Sequence, residues 1–317
     1  MPSSEAMDLR QLNALTAVAE QGGFSAAADV LHTVQSNVSS HVARLESELG
    51  VTLVDRQAGC LTEEGTLVVA RARRVNGELE GLVADLASLR HDIVGSARLG
   101  MIGTIARWLV PQVLAATGGR HPGVRLVVVD ATSTSLAPQL LAGSLDLAVV
   151  NLPVADRDLT CEPLFDEDLV LVVPSGHPLT ARPRVELTDL ASVELLLPPP
   201  GTAFRGELDG AAAAAGISLR PLAELDGLRL IAGLAMQGHG PAIVPATAVS
   251  GPSGTGPPET ATWRPLSVRG LPRRRVGVAQ RRRGLPAAPA RAVLEILREI
   301  GGEAAGLHVQ GLHPPVR

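Results

Sequence analysis

From Glu63 to about Asp92, apolar residues fall at alternating spacings of four and three: Val68, Ala72, Val75, Leu79, Leu82, Leu86 and Leu89. That is the a/d stripe of one long helix. At 1.5 Å per residue, about 28 residues extend about 42 Å, more than the width of a small domain. The chain is therefore organised as separate units on either side of this helix. A single narrow stripe needs a partner surface. The partner is either the rest of its own chain or the same stripe of a second copy, and the seven-position regularity favours the seam between copies. Gly77 and Gly81 lie inside the pattern and weaken the helix when it is unpaired.

The residues before the stripe read as a small helical unit. Leu9, Leu12, Leu15 and Val18 to Ala19 recur at helical spacing, and Gln21-Gly22-Gly23 ends that helix. Phe24 and Ser25 open a second helix, with Ser25 as N-cap and Ala27, Ala28 and Leu31 inward. After His32-Thr33 a third helix carries Val38, Val42, Leu45 and Leu49 on one face, and Gly50 stops it. Val51–Val54 and Cys60–Thr62 then flank a turn at Gln57-Ala58-Gly59, which is the pattern of a two-stranded wing. The other face of the third helix shows Gln35, Ser36, Ser39, Ser40 and His41. These side chains can hydrogen-bond and carry no acidic charge to repel phosphate. Two helices joined by a tight turn, the second presenting such a face, describe a helix-turn-helix. Gln35 can bond an adenine edge, while Arg44 and Arg56 are the local cations for phosphate. A plain solvated helix face is the competing reading; the preceding helix, the turn and the wing speak against it.

Beyond a hinge at Val94-Gly95-Ser96 the texture changes. Short apolar runs at Arg98–Ile102, Val124–Val129, Leu145–Val150, Leu169–Val173, Leu195–Leu197, Ala242–Val244 and Arg275–Val278 alternate with helical segments such as Ala106–Ala116 and Thr134–Ala142. Such runs suit strands covered by helices on both faces, hence an α/β unit. Hydrophobic residues are 45% and charged residues 19%, which excludes a disordered chain, and with 2% aromatics the cores must be Leu, Val and Ala. All 28 basic residues are Arg, and the net charge of −4 gives no global nucleic-acid signature. Any DNA contact must come from a local patch. Cys60 and Cys161 are too far apart in sequence to suggest a disulfide framework. The first ten residues lack an apolar signal-peptide region. The uncharged stretch Leu230–Pro258 is broken by Gln237, His239, Pro241 and Pro245, so it reads as helix, turn, strand and a loop at Ser250–Pro258. A cytoplasmic protein with no membrane partner is expected.

Three strand-to-helix turns offer hydroxyls: Gly103-Thr104-Ile105, Asp130 to Thr134, and Pro200-Gly201-Thr202-Ala203. In open α/β sheets ligands sit beyond the carboxyl ends of the strands, often at helix N-termini. Thr104, Thr132, Ser133 and Thr202 are therefore effector candidates, with Asn151 and His239 as weaker ones, for a small polar ligand such as a carboxylate. Simple helix capping explains each of these residues equally well. Arg264, Arg269, Arg273–Arg275 and Arg281–Arg283 follow one another with no acid between them. A solvated sheet edge or a subunit contact is preferred to a nucleic-acid patch, because Arg275–Gln280 reads as a strand. The eight His and two Cys show no metal-ligand spacing, and no phosphate-binding Gly-Lys loop or nucleophile elbow is present. No cofactor, metal or catalytic activity is expected.

Residues 7–66 resemble the N-terminal domain of LysR-type transcriptional regulators. The matching segments are Met7 to Leu12, Phe24-Ser25-Ala26-Ala27-Ala28, Gln35-Ser36-Asn37-Val38-Ser39, Arg44-Leu45-Glu46, Leu49-Gly50-Val51, Leu53 to Arg56 and Leu61 to Gly65. Leu145 to Ala148, Gly176-His177-Pro178-Leu179 and Gly238–Pro245 are similar to landmarks of the effector domain of that family. The resemblance implies an α+β multi-domain fold. It comprises a winged helix-turn-helix over residues 1–66, a dimerising linker helix over 67–94, a two-lobed α/β effector domain like type 2 periplasmic binding proteins over 95–300, and a flexible tail over 301–317. The implied partners are double-stranded DNA, a small-molecule effector, further copies in a homodimer or homotetramer, and RNA polymerase. Two departures matter. Val34 stands where the family usually has a capping Ser or Thr, so either Thr33 caps one residue early or the cap is lost. Residues 1–95 hold seven Arg against thirteen Asp and Glu, a net of −6. These departures keep open a second reading, a small-molecule-binding module with a degenerate DNA-binding head.

Overall fold

A computed structural model describes residues 7–89, 92–249 and 261–304. The head consists of α1 (Leu9–Gln21), α2 (Phe24–Val30) and α3 (Gln35–Leu49), followed by a wing of β1 (Val54–Asp55) and β2 (Cys60–Leu61). Asp8 and Gln11 cap α1 reciprocally: the Asp8 carboxylate accepts from the Gln11 N–H, and the Gln11 side chain accepts from the Asp8 N–H. Leu15, Val38, Val42, Leu45 and Leu53 are fully buried in one shared core. Ser25 does not cap α2, which begins one residue earlier behind Gly23 with no side-chain cap. The wing strands are shorter than the sequence suggests. Glu46 bears on this: its carboxylate accepts from the N–H of Leu53, the residue before β1, at 2.8 Å and from the N–H of Val54, where β1 begins, at 3.2 Å.

The long helix is α4 (Glu63–Ser88), capped by Thr62, whose hydroxyl accepts from the Gly65 N–H at 2.9 Å. Gly65 is required at that point, since a Cβ there would lie 1.9 Å from the Leu53 carbonyl oxygen. The apolar stripe divides between two duties. Ala72 is buried in the head core with Val68 packed against it, and Val69, beside the stripe, is buried there too. Further along, Leu82, Leu86 and Leu89 are 57%, 58% and 78% exposed, so among the described residues this part of the stripe is uncovered.

After α4 the chain runs through β3 (Gly95–Met101), α5 (Gly103–Arg120), β4 (Val124–Asp130), α6 (Ser133–Ala142), β5 (Leu147–Leu152) and a long β6 (Leu159–Pro174). It continues with β7 (Val185–Glu186), β8 (Glu194–Leu197), α7 (Ala203–Ala214), β9 (Arg220–Glu224), α8 (Leu228–Met236), β10 (Ala242–Pro245) and α9 (Ala246–Val249). The last elements are β11 (Trp263–Arg269), β12 (Arg273–Arg281) and α10 (Ala288–Ala304). The strand order is β4-β3-β5-β12-β6-β10-β8-β9, with β11 also pairing with β6 and β7. The first half of β6 belongs to a lobe with β3–β5 and β12; its second half belongs to a lobe with β8–β11. One core holds Leu99, Ile105, Leu147, Val276 and Leu297 in the first lobe. Leu195, Leu208 and Ile243 on one face, and Val170, Ile231 and Val244 on the other, fill the second.

Each apolar run of the effector region overlaps a strand, but Ile102 falls after β3 and Leu145-Asp146 before β5. β7, β9, β11 and the first half of β6 are additional. Pro221, Pro265 and the Asp166-Glu167-Asp168 triplet hide the last three from a reading based on apolar runs. Helix α10 continues through Ala304, past the Gly301 start expected for the tail; the remainder of the tail and the Ser250–Pro258 loop lie outside the described residues. The arginine-rich stretch is also different from a solvated edge. Strand β12 is interior, between β5 and β6, and its register sets Arg273 opposite Asp168, Arg274 opposite Glu167 and Arg275 opposite Asp166. Side chains alternate between the faces of a strand. The outer pairs, Arg273–Asp168 at 2.8 Å and Arg275–Asp166 at 2.9 Å, are solvent-accessible, whereas Arg274 and Glu167 are 4% and 5% exposed.

Candidate functional site

The head presents its polar face as one surface. Gln35, Ser36, Ser40 and Arg44 are exposed on α3, with Ser39 and His41 half-buried beside them. Arg56, in the wing, comes across to this face: its Nη1 donates to the Ser39 hydroxyl at 3.2 Å, and its guanidinium lies 5.3 Å from the centre of the Phe24 ring. The wing thus fixes a cation beside the polar face of α3. No side chain caps α3. Val34 occupies the N-cap position, and the Thr33 hydroxyl accepts from the Asn37 side-chain amide instead.

The second site lies where the two lobes meet. Arg274 donates to Glu167 through Nε and Nη2, and Nη2 also donates to the Thr104 hydroxyl at 3.0 Å. The other Glu167 oxygen accepts from the Thr247 hydroxyl at 2.7 Å. Strands β6 and β12, helix α5 and helix α9 are joined by this one buried network. A second bridge pairs Arg229 of α8 with Asp130 at the end of β4. A Cβ on Gly103 would lie 2.7 Å from Arg229 Nε, so the absence of a side chain at the start of α5 admits that arginine.

The effector candidates take distinct places around this junction. Thr104 is buried, and its hydroxyl is engaged by Arg274. Thr132 caps α6, accepting from the Ser135 N–H, and shares hydrogen bonds with the Thr134 and Ser135 hydroxyls. The Ser133 hydroxyl accepts from the Asn151 N–H at 3.1 Å, while Asn151 Oδ1 is buried without a partner. Thr202 caps α7 and donates to the Pro199 carbonyl at 3.0 Å. That helix reaches the network through Glu207, whose carboxyl is pushed up by desolvation and drawn back by the Arg274 charge. His239 is exposed in the turn before β10, and among the described residues no hydrogen bond or ion pair ties it to the network. Among the described residues no group of His, Cys, Asp or Glu is arranged to hold a metal ion, and no helix is long and apolar enough to cross a membrane.

Comparison with known proteins decides the family. The pattern described as "Bacterial regulatory helix-turn-helix protein, lysR family" matches residues 9–66, and "LysR substrate binding domain" matches residues 90–301. The chain belongs to the LysR family. A Streptomyces viridosporus relative named "Probable hydrogen peroxide-inducible genes activator" is 33% identical over 297 residues, covering 92% of this chain and 93% of that one. A Mycobacterium leprae protein of the same name is 37% identical over 198 residues, 62% of this chain, and the match spans 64% of its length. Among solved structures, a full-length OxyR cysteine variant from Pseudomonas aeruginosa superposes with a TM-score of 0.75 at 24% identity, covering 98% of this chain and 99% of that one. CbnR, a LysR family regulator complexed with its target DNA, superposes at 0.66 with 28% identity, covering 92% of this chain and 99% of its own.

Reasoning from the LysR sequence alone misses Arg274, Glu167, Thr247, Arg229 and Asp130. A signal exists for the first two. An acidic triplet at Asp166–Asp168 and a basic triplet at Arg273–Arg275 lie on two strands and match in antiparallel order. The two cysteines of this LysR chain are both free: Cys60 is exposed on the wing, and Cys161 is half-buried on β6. Burial, helped by Asp156, pushes the Cys161 thiol up.

Proposed function

We propose that this LysR-family protein is a sequence-specific DNA-binding transcriptional regulator, acting in the cytoplasm and controlled by a small molecule taken up between its two lobes. The observation that carries the DNA half is the contact of Arg56 with Ser39, which holds a phosphate-binding cation beside Gln35, Ser36 and Ser40. Phosphate contacts set the register on the duplex, and the α3 side chains read base edges. The exposed half of the α4 stripe supports a homodimer, with two heads on a dyad-symmetric site. Residues Thr104, Thr132, Ser133, Asn151 and Thr202 are the proposed effector contacts on the two sides of the interlobe junction. A ligand with different affinity for two arrangements of the lobes shifts their populations, which is the physical basis of the switch.

Peroxide sensing, suggested by the names of several relatives, is not the reading favoured for this chain. Oxidation to a disulfide needs a reactive thiolate and a second thiol in reach. Cys60 and Cys161 are on different domains, and the effector-domain thiol is the one raised by burial. The decisive experiment is selection from a random duplex pool. A dyad-symmetric site should emerge, and Gln35→Ala should relax one position of it at a cost of about 1–3 kcal/mol. Arg56→Ala should weaken all sites alike and flatten the salt slope by about one unit. A pool without enrichment overturns the proposal in favour of a binding module with a degenerate head.

A further inference from the structure

A cavity of about 510 Å³ lies between the linker helix α4 and the first lobe. Its size is that of a small-molecule site, about 300–1,000 Å³. Four arginines line it: Arg71 and Arg74 from α4, and Arg281 and Arg283 from the end of β12 and the turn after it. The one acid in the lining is Asp158. Arg281 is held in place by Nη1, which donates to the carbonyls of Leu140 and Leu145 at 3.1 and 3.0 Å. Arg71, Arg74 and Arg283 make no ion pair or hydrogen bond with any other described residue. Several arginines elsewhere, among them Arg98, Arg205, Arg229, Arg274, Arg275 and Arg298, do have a carboxylate partner.

Four guanidinium groups face one carboxylate, Asp158, in this pocket; Arg71 and Arg283 are exposed and Arg74 half-buried, so water screens part of their repulsion and a multivalent anion relieves the rest. Arginine forks match phosphate oxygens, and several forks together favour a phosphate over a single carboxylate. The remaining wall is apolar, from Leu67, Pro138 and Leu141, so the body of the ligand is uncharged. A DNA duplex is far too wide to enter a pocket of this volume. We propose that the cavity is a binding site for a small phosphate-bearing molecule, bridging the linker helix and the effector domain. It is separate from the interlobe cleft and does not depend on the effector reading.

The test is calorimetric titration of the full chain with inorganic pyrophosphate in about 0.15 M salt, with citrate as the non-phosphate anion. Saturable pyrophosphate binding is expected, weakened by about tenfold or more in an Arg74→Gln/Arg283→Gln variant. Gln at position 74 keeps the methylene that packs on Gly143, where a Cβ would lie 2.8 Å from Arg74 Cγ. Arg283→Glu, at an exposed site, gives a second variant with the same expected loss, and Arg120→Gln, remote and paired with Glu299, should bind normally. Absence of binding by the unmodified chain, or unchanged affinity in both cavity variants, overturns the proposal. So does citrate binding as tightly as pyrophosphate. Sedimentation of the same samples tests the other occupant. A cavity variant that loses its oligomeric state, with no pyrophosphate binding in the parent, makes this surface a contact between copies.

Discussion

Replacing Glu167 by Ala removes the acceptor at the centre of the interlobe network while leaving Arg274 charged, since a guanidinium does not deprotonate in a protein. Both side chains are about 5% exposed, so water cannot take over the role of the lost carboxylate. The Arg274 Nε and Nη2 donors lose Glu167, and the Thr247 hydroxyl loses its acceptor. Breaking a buried pair by removing one partner costs about 3–5 kcal/mol, and an unmet buried donor alone costs about 1–3 kcal/mol. The variant should therefore lose about 3–5 kcal/mol of unfolding free energy. Arg274→Met/Glu167→Leu removes both charges and should recover most of that loss, because well-packed apolar groups can replace a buried pair. Urea unfolding can be followed separately at Trp108 in the first lobe and Trp263 in the second, using single-tryptophan versions. Coincident transitions in the parent and separated ones in Glu167→Ala would show that the pair couples the lobes. A loss below about 1 kcal/mol, or a double variant as unstable as the single one, would refute the argument.

Three further outcomes follow from the geometry. Val34→Thr supplies the missing side-chain cap of α3 and should stabilise the head by about 1 kcal/mol in urea unfolding; no gain would mean that the Thr33–Asn37 contact already organises that end. Leu82→Arg places a charge in the exposed half of the α4 stripe and should yield a smaller species in sedimentation, whereas a parent chain that is monomeric at micromolar concentration removes the seam. His177 Nδ1 accepts from the Leu179 N–H, and desolvation holds its imidazole below the ordinary value of 6.5. A depressed histidine contributes stability above its unfolded value and loses it as pH falls through about 6.5, when the unfolded chain takes up the proton first. His177→Asn, which keeps an acceptor, should flatten the urea midpoint between about pH 7 and 5; an unchanged slope assigns the titration to another group.

The head is legible in the sequence because its information is local. Helix faces, stops and the wing turn each lie within a few residues of one another. The linker stripe is only half legible. Heptad spacing says which residues seek a partner, but cannot say that Ala72 finds it in the head while Leu86 stays exposed among the described residues. The interlobe network is illegible for a different reason. Thr104 and Arg274 are 170 residues apart, and nothing near Thr104 announces an arginine. Hydroxyls at strand ends are ambiguous by nature, since a cap and a ligand donor use the same atom. Thr132 and Thr202 both act as caps, and that role leaves their part in ligand binding to experiment.

The opposed triplets on β6 and β12 bear on how such a protein can be recombined. A chimera that takes residues 159–174 from one parent and 273–281 from another separates three acids from the three arginines written to match them. Two of those pairs face water and would tolerate a mismatch, because exposed pairs contribute little. The middle pair would not. Effector domains of this kind should therefore be exchanged as whole units, with crossover points in the linker helix, and a lobe-by-lobe swap needs the two strands to be inherited together.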